Sequence, residues 1–133
     1  MDKDQARQLA ETVAWGRIAI GAVALLAPTV PLGPWVGRDF AWQPRAKLLA
    51  RSLGARDLAL GIGVILALRH DGPVRGWVEG SGVADAGDCL ATLLAFGKLP
   101  KAGRWLVLLS AAGAAATARL VAPLVDGVAA PAE

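Results

Sequence analysis

An all-α, four-helix transmembrane bundle with short loops is the fold this sequence predicts, and three observations predict it. First, 55% of the 133 residues are apolar, above the roughly 45–50% of soluble domains. Mean hydropathy is +0.47. Second, the apolarity comes from Ala, Leu, Val and Gly, with no Tyr and only two Phe. Small residues of this kind let membrane helices approach closely. Third, four apolar stretches, about 9–27, 46–68, 74–96 and 104–124, are each long enough to cross a hydrocarbon core of about 30 Å at 1.5 Å per residue. They fit a single membrane domain over 1–133, with both termini on one side.

The first stretch carries Arg17 near its middle, with Ala14, Gly21 and Ala24 on the same helical face. That face suits close packing against another helix, with snorkelling of Arg17 to an interface as the alternative. A loop over Thr29 to Gln43 follows, broken by Pro31 and Pro34. Pro44 fits the first turn of the next helix, where a missing N–H costs nothing. Arg38, Arg45 and Lys47 make the loop basic, as a headgroup surface favours. Trp15, Trp35, Trp42, Trp77 and Trp105 are expected near segment ends, as an interfacial aromatic belt.

The second stretch is centred on Asp57, bracketed by Gly54 and Gly61 three residues before and four after. Arg56 points about 100° away on a face with Ser52 and Leu60, so the two charges address different neighbours. Arg69-His70-Asp71-Gly72-Pro73 closes the helix as a polar turn, with His70 in solvent.

The third stretch is the least hydrophobic. Ser81, Asp85, Asp88 and Thr92 form a stripe down one helical face, with Cys89 at its edge. In a bilayer such a stripe must face the bundle interior, because lipid supplies no polar partners. The fourth stretch centres on Ala111 to Ala116, and Ser110, Gly113 and Thr117 mark a face for other helices or a second copy of the chain. The tail from Asp126 to Glu133 is expected to fray.

Arg17, Arg56, Asp57, Asp85 and Asp88 all lie near the centre of their own stretch, so they are expected to converge. A charge at bilayer depth costs roughly 2.5–3.5 kcal/mol on insertion scales, which partners must offset. Asp85, Asp88, Arg56 and Asp57 are the candidate catalytic residues, and Arg17, Ser81, Thr92 and Cys89 the candidate ligand contacts. Two arginines face three aspartates, and one carboxyl shared by Asp85 and Asp88 is expected to keep a proton unless Arg51 also turns inward.

Three functions fit. One is binding, or acid–base isomerisation, cyclisation or epoxide opening, of a small apolar molecule at an Arg/Asp site between the second and third helices. Another is a transport or proton-relay component. The last is a structural subunit whose ion pairs fix helix register. No cofactor is implied. The single Cys89 excludes an intrachain disulfide, and one histidine leaves only Glu79, Asp85 and Asp88 as a hard-oxygen metal set, which is not favoured. The charge of +3 needs no nucleic acid, because the basic residues lie at segment ends. No secretory signal is expected, since Met1 to Gln8 is polar and no small-residue cleavage site follows. Arg38, Arg45, Lys47, Lys98, Lys101 and Arg104 outnumber Lys3, Arg7, Arg69 and Arg75, so the positive-inside rule places the first and third loops in the cytoplasm.

Arg17-Ile-Ala-Ile-Gly21, Gly54-Ala-Arg-Asp-Leu-Ala-Leu-Gly61 and Ala84-Asp-Ala-Gly-Asp88 together resemble the DUF4267 group of small four-helix membrane proteins. The resemblance runs from about Trp15 to Phe96. It rests on the Gly-x-Arg-Asp and Asp-x-x-Asp pieces. DoxX-like proteins are a weaker comparison. The resemblance implies a four-helix membrane fold with a polar centre, and no particular reaction.

Overall fold

The computed structural model describes residues 1–126, and every regular element among them is helical. Four long helices carry the architecture: α1 (Lys3–Leu26), α4 (Pro44–Arg69), α5 (Arg75–Leu94) and α6 (Lys101–Val125). Two short ones, α2 (Thr29–Val36) and α3 (Arg38–Ala41), lie between α1 and α4, and a 3-10 turn (Phe96–Lys98) leads into α6. α1 and α6 are long and apolar enough to cross a membrane.

Helix boundaries follow local chemistry. α1 starts six residues before its apolar pattern because the Asp2 side chain accepts the Gln5 N–H at 2.8 Å and Gln5 Oε1 accepts the Asp2 N–H at 3.1 Å. This reciprocal box satisfies two otherwise orphaned donors. The expected loop over Thr29 to Gln43 is instead largely helical. Pro31 falls in the first turn of α2, where proline is tolerated, and Gly37 at φ 95 makes the break before α3.

α5 has no cap in its own sequence. Asp126, at the end of α6, supplies one, its two oxygens accepting the N–H groups of Val74 and Arg75 at 2.9 and 3.0 Å. Beside it Arg7 donates to Leu68 O at 3.3 Å and Val125 O at 3.4 Å, which ties the last carbonyls of α4 and α6 to α1. Asp126 is thus ordered by a tertiary contact rather than frayed; the rest of the expected tail lies outside the described residues.

α1 packs chiefly on α4, and α5 chiefly on α6. Glycine sets the first contact. A Cβ at Gly21 would sit 2.6 Å from Gly54 O, and one at Gly61 would sit 2.7 Å from Ala14 O, so only bare backbone lets the helices come this close. The interior is built from small side chains. Ala6, Ala10, Ala14, Val64, Val74, Val78, Val121 and Val125 belong to the main cluster, while Leu32, Ala41, Ala46 and Ala50 form a second.

The larger apolar residues point outward, among them Trp15, Ile20, Leu26, Leu48, Leu49, Ile62, Leu66, Leu90, Leu94, Leu106, Leu109 and Leu120. Trp15 departs from the expected belt, since it sits mid-way along α1. On α6 the buried face is Gly103, Ala111, Ala118, Val121, Ala122 and Val125. Ser110 and Gly113 are exposed rather than packed on another helix of the same chain, and the hydroxyls of Ser110 and Thr117 bond back to their own helix at 3.1 and 2.8 Å.

These contacts give a paired prediction. Gly61→Leu forces overpacking against Ala14 and is expected to cost about 1–3 kcal/mol or more, whereas Gly113→Leu meets open space and is expected to be near neutral. Thermal melting of both variants in detergent measures the difference.

Candidate functional site: an Arg–Asp chain beside an apolar cavity

Helical spacing places the charges. Arg17 faces α4 from between Ala14 and Gly21, and Asp57 faces α1 from between Gly54 and Gly61. The bare backbone on both sides lets a long and a short side chain meet where the helices are closest. Arg17 Nη1 donates to Asp57 Oδ1 at 2.7 Å. Arg17 Nη2 donates to Asp85 Oδ2 and to the Ser81 carbonyl at 3.2 Å, which bonds α1 to α5.

On the other side of Asp57, Arg56 Nη2 donates to Asp57 Oδ1 at 3.3 Å. Arg56 also grips Asp88 with two bonds, Nη1 to Oδ1 at 3.0 Å and Nη2 to Oδ2 at 2.7 Å. The five charges therefore form one chain of alternating sign, Asp85–Arg17–Asp57–Arg56–Asp88. It joins α1, α4 and α5.

Exposure grades along the chain. Side chains of Arg17 and Asp85 are 9% and 11% exposed, against 31% and 22% for Arg56 and Asp88. The Arg17 end is inside the bundle and the Arg56 end nears its surface. Arg51 stays out of the network, its Nε donating to Leu25 O at 3.1 Å on the exposed side of α4. Two arginines thus meet three carboxylates, and arginine keeps its proton.

A cavity of about 30 Å³ lies against the buried end. It touches Arg17, Ser81 and Asp85, and its remaining wall is mainly apolar, including Val13, Val64, Val78 and Val121. The expectation put a site between the second and third helices; the cavity is instead framed by α1, α5 and α6, with Val64 alone from α4. Where α4 and α5 approach, the Arg56–Asp88 pair bridges them.

Of the expected ligand contacts, Arg17 and Ser81 line the cavity. Thr92 and Cys89 do not; the Thr92 hydroxyl donates to Asp88 O at 2.7 Å and the Cys89 thiol to Leu108 O at 3.4 Å. Asp85 reaches the cavity, whereas Arg56, Asp57 and Asp88 serve the ion chain. Glu79, weighed as a metal ligand, pairs with Arg75 at 2.7 Å. His70 is exposed at the end of α4 as expected. Sequence reasoning missed the valine walls, which carry no signal distinct from general membrane composition.

No family model, curated protein or solved structure matches the chain.

Two predictions follow from the chain of charges. Asp57 bonds both arginines, so Asp57→Ala uncouples the network at its centre. It is expected to destabilise by about 3–5 kcal/mol, more than Asp85→Ala or Asp88→Ala, as read by melting in detergent. The second concerns the surplus carboxylate. Asp88 accepts two bonds from Arg56 and Asp85 one from Arg17, so Asp85 is the carboxyl to test for a bound proton. Infrared spectra at neutral pH should show a protonated-carboxyl band that Asp85→Asn removes and Asp88→Asn leaves; a wild type without the band would end the acid reading.

Proposed function

We propose that this chain is a multi-pass membrane protein whose four long helices cross the bilayer, and that its Arg/Asp site binds a small, largely apolar molecule. The observation that carries the binding reading is the cavity that touches Arg17 and Asp85 and is otherwise walled mainly by apolar side chains. Such a space suits an apolar body and turns one polar end towards the ion chain.

The membrane half of the reading rests on the distribution of volume. Alanine and valine fill the interior while leucine, isoleucine and tryptophan cover the outside of the long helices. Water penalises such a surface and lipid does not. α5 has 20 residues, about 30 Å at 1.5 Å per residue, and its two aspartates are paired with arginines from α1 and α4. Charge within a span is tolerated under that condition. The resemblance to the DUF4267 group leads to the same architecture.

At this site Asp85, when protonated, is the natural donor to a substrate oxygen, and Arg17 the group that steadies developing negative charge. Isomerisation, ring closure or epoxide opening are the reactions this pair suits. A second reading, a structural subunit, is favoured by one observation: each aspartate of the chain already has an arginine partner.

Binding separates the two. Cyclopentane, cyclopentanol and cyclopentanone are titrated into the purified chain in detergent while melting is followed. The proposal expects a saturable rise in Tm with at least one of them, weakened in Asp85→Asn; if none saturates, the structural reading stands. Topology is tested in a Cys89→Ala background with single cysteines at position 71 or 97. An impermeant maleimide should label these two from opposite faces of the membrane.

A further inference from the structure

The two ends of the bundle differ in charge. From the end of α1 through the first turn of α4, and from the end of α5 through the first turn of α6, stand Arg38, Arg45, Lys47, Lys98, Lys101 and Arg104, with Asp39 as the one acid. Both connections lie at the same end, because Arg7, near the start of α1, bonds the last carbonyls of α4 and α6 at the other. At that other end acid and base are matched. Arg7 pairs with Asp71, Arg75 pairs with Glu79, and Asp126 caps α5. At the basic end, among the described residues, none of the six cations has a carboxylate partner. Lys47 lies over the Trp42 ring at 4.5 Å and Arg104 over the Phe96 ring at 4.3 Å instead. Charge of one sign that the chain does not neutralise attracts an anion from outside it.

An open groove of about 520 Å³ lies within this basic end, between α2 and α6. Its floor forms where bare backbone meets: Gly33 and Gly103 are buried, and a Cβ at Gly103 would overlap Pro34 O. Pro34, Pro100, Ala102 and Leu106 are its exposed apolar walls. Arg38 is the one charged residue of the lining. It is exposed, and its Cγ lies 3.9 Å from where a Cβ at Gly33 would stand, so its stem runs beside the floor. Gly37, at φ 95, sets the preceding backbone against α6, since a Cβ there would be 3.7 Å from Pro100 Cγ.

We propose that this groove holds one anionic phospholipid, with an acyl chain against Pro34, Ala102 and Leu106 and the phosphate on Arg38. This site is separate from the Arg/Asp chain and rests on the membrane reading above. A free anion would satisfy the charge and leave the apolar walls in water. A zwitterionic lipid would cover the walls and leave the cations unmatched. Basic pockets between membrane helices favour anionic headgroups for both reasons. The level is also right, because Phe40, Trp42 and Trp105 are exposed at this end, as aromatic residues are where acyl chains give way to headgroups. The positive-inside rule places the same end at the cytoplasmic leaflet, where anionic lipid is concentrated.

The full chain in neutral detergent is titrated with dioleoylphosphatidylglycerol or dioleoylphosphatidylcholine, and bound lipid is counted by native mass spectrometry. One phosphatidylglycerol should bind saturably, roughly tenfold or more tighter than phosphatidylcholine. Arg38→Gln removes a charge-assisted bond from an exposed, unpaired side chain and should weaken binding about tenfold. Ala102→Phe fills the groove, leaves every charge in place and should abolish the site while the Tm of the free protein is kept. Arg69→Gln removes an equal charge at the opposite end and should change nothing.

Equal retention of the two lipids, equal losses in Arg38→Gln and Arg69→Gln, or undiminished binding in Ala102→Phe overturns the proposal. Displacement of the lipid by inorganic phosphate or polyglutamate at equal concentration overturns it too, because neither brings an acyl chain. Flotation with phosphatidylcholine vesicles keeps the two readings apart. A chain that floats but shows no lipid preference loses this site alone; one that does not float loses the membrane reading with it.

Discussion

The alternating chain Asp85–Arg17–Asp57–Arg56–Asp88 is the interaction on which the architecture depends. Each arginine lies between two carboxylates, and Asp57 lies between two arginines. Any one charge left alone in the bundle would be severely destabilising; joined, each is offset by its neighbours. The geometry also fixes registry. Sliding α1 by one turn along α4 would move Arg17 about 5 Å from Asp57 and would bring side chains against the positions where only Gly21, Gly54 and Gly61 fit.

Close packing and charge pairing are therefore one design. The glycines on α1 and α4 are needed because the ion pair between those helices is short, and the ion pair is short because the glycines remove side chains beside it. The α5–α6 pair has a related contact, where a Cβ at Gly82 would lie 2.8 Å from Ala118 Cβ. Between the pairs the fit is looser, and there the cavity lies. A small-residue interior reaches close backbone contact within each pair and leaves incomplete filling where α1, α5 and α6 meet.

Much of this was legible in the sequence. Four long helices and the positions of the five central charges follow from apolar length and the 3.6-residue period, because an arginine or aspartate amid apolar residues has few places to go. Periodicity names a face but not its partner, which is why the cavity was expected beside α4 and occurs beside α6. The Ala111 to Ala116 run is apolar and small all round, so the pattern had too little contrast to tell the buried face at Ala111 and Ala118 from the exposed one at Ser110 and Gly113. Capping of α5 by Asp126 spans about fifty residues and leaves no local signature at Val74. The extension of α1 to Lys3 was legible in Asp2 and Gln5, a pairing masked by the polar character of the first eight residues.

The Asp126 cap bears on the order in which such a chain is assembled. After α1 and α4 are in place, Arg17 and Arg56 outnumber Asp57, and the intermediate carries surplus positive charge. Arrival of α5 brings two carboxylates and reverses the balance, yet its first N–H groups at Val74 and Arg75 still lack acceptors. These are provided only when the far end of α6 has been made and folded back. Each successive helix thus repairs a deficiency in those before it, and the final repair waits for the far end of α6. Without that end of α6 the first turn of α5 would lose both acceptors, and the bundle would open there first.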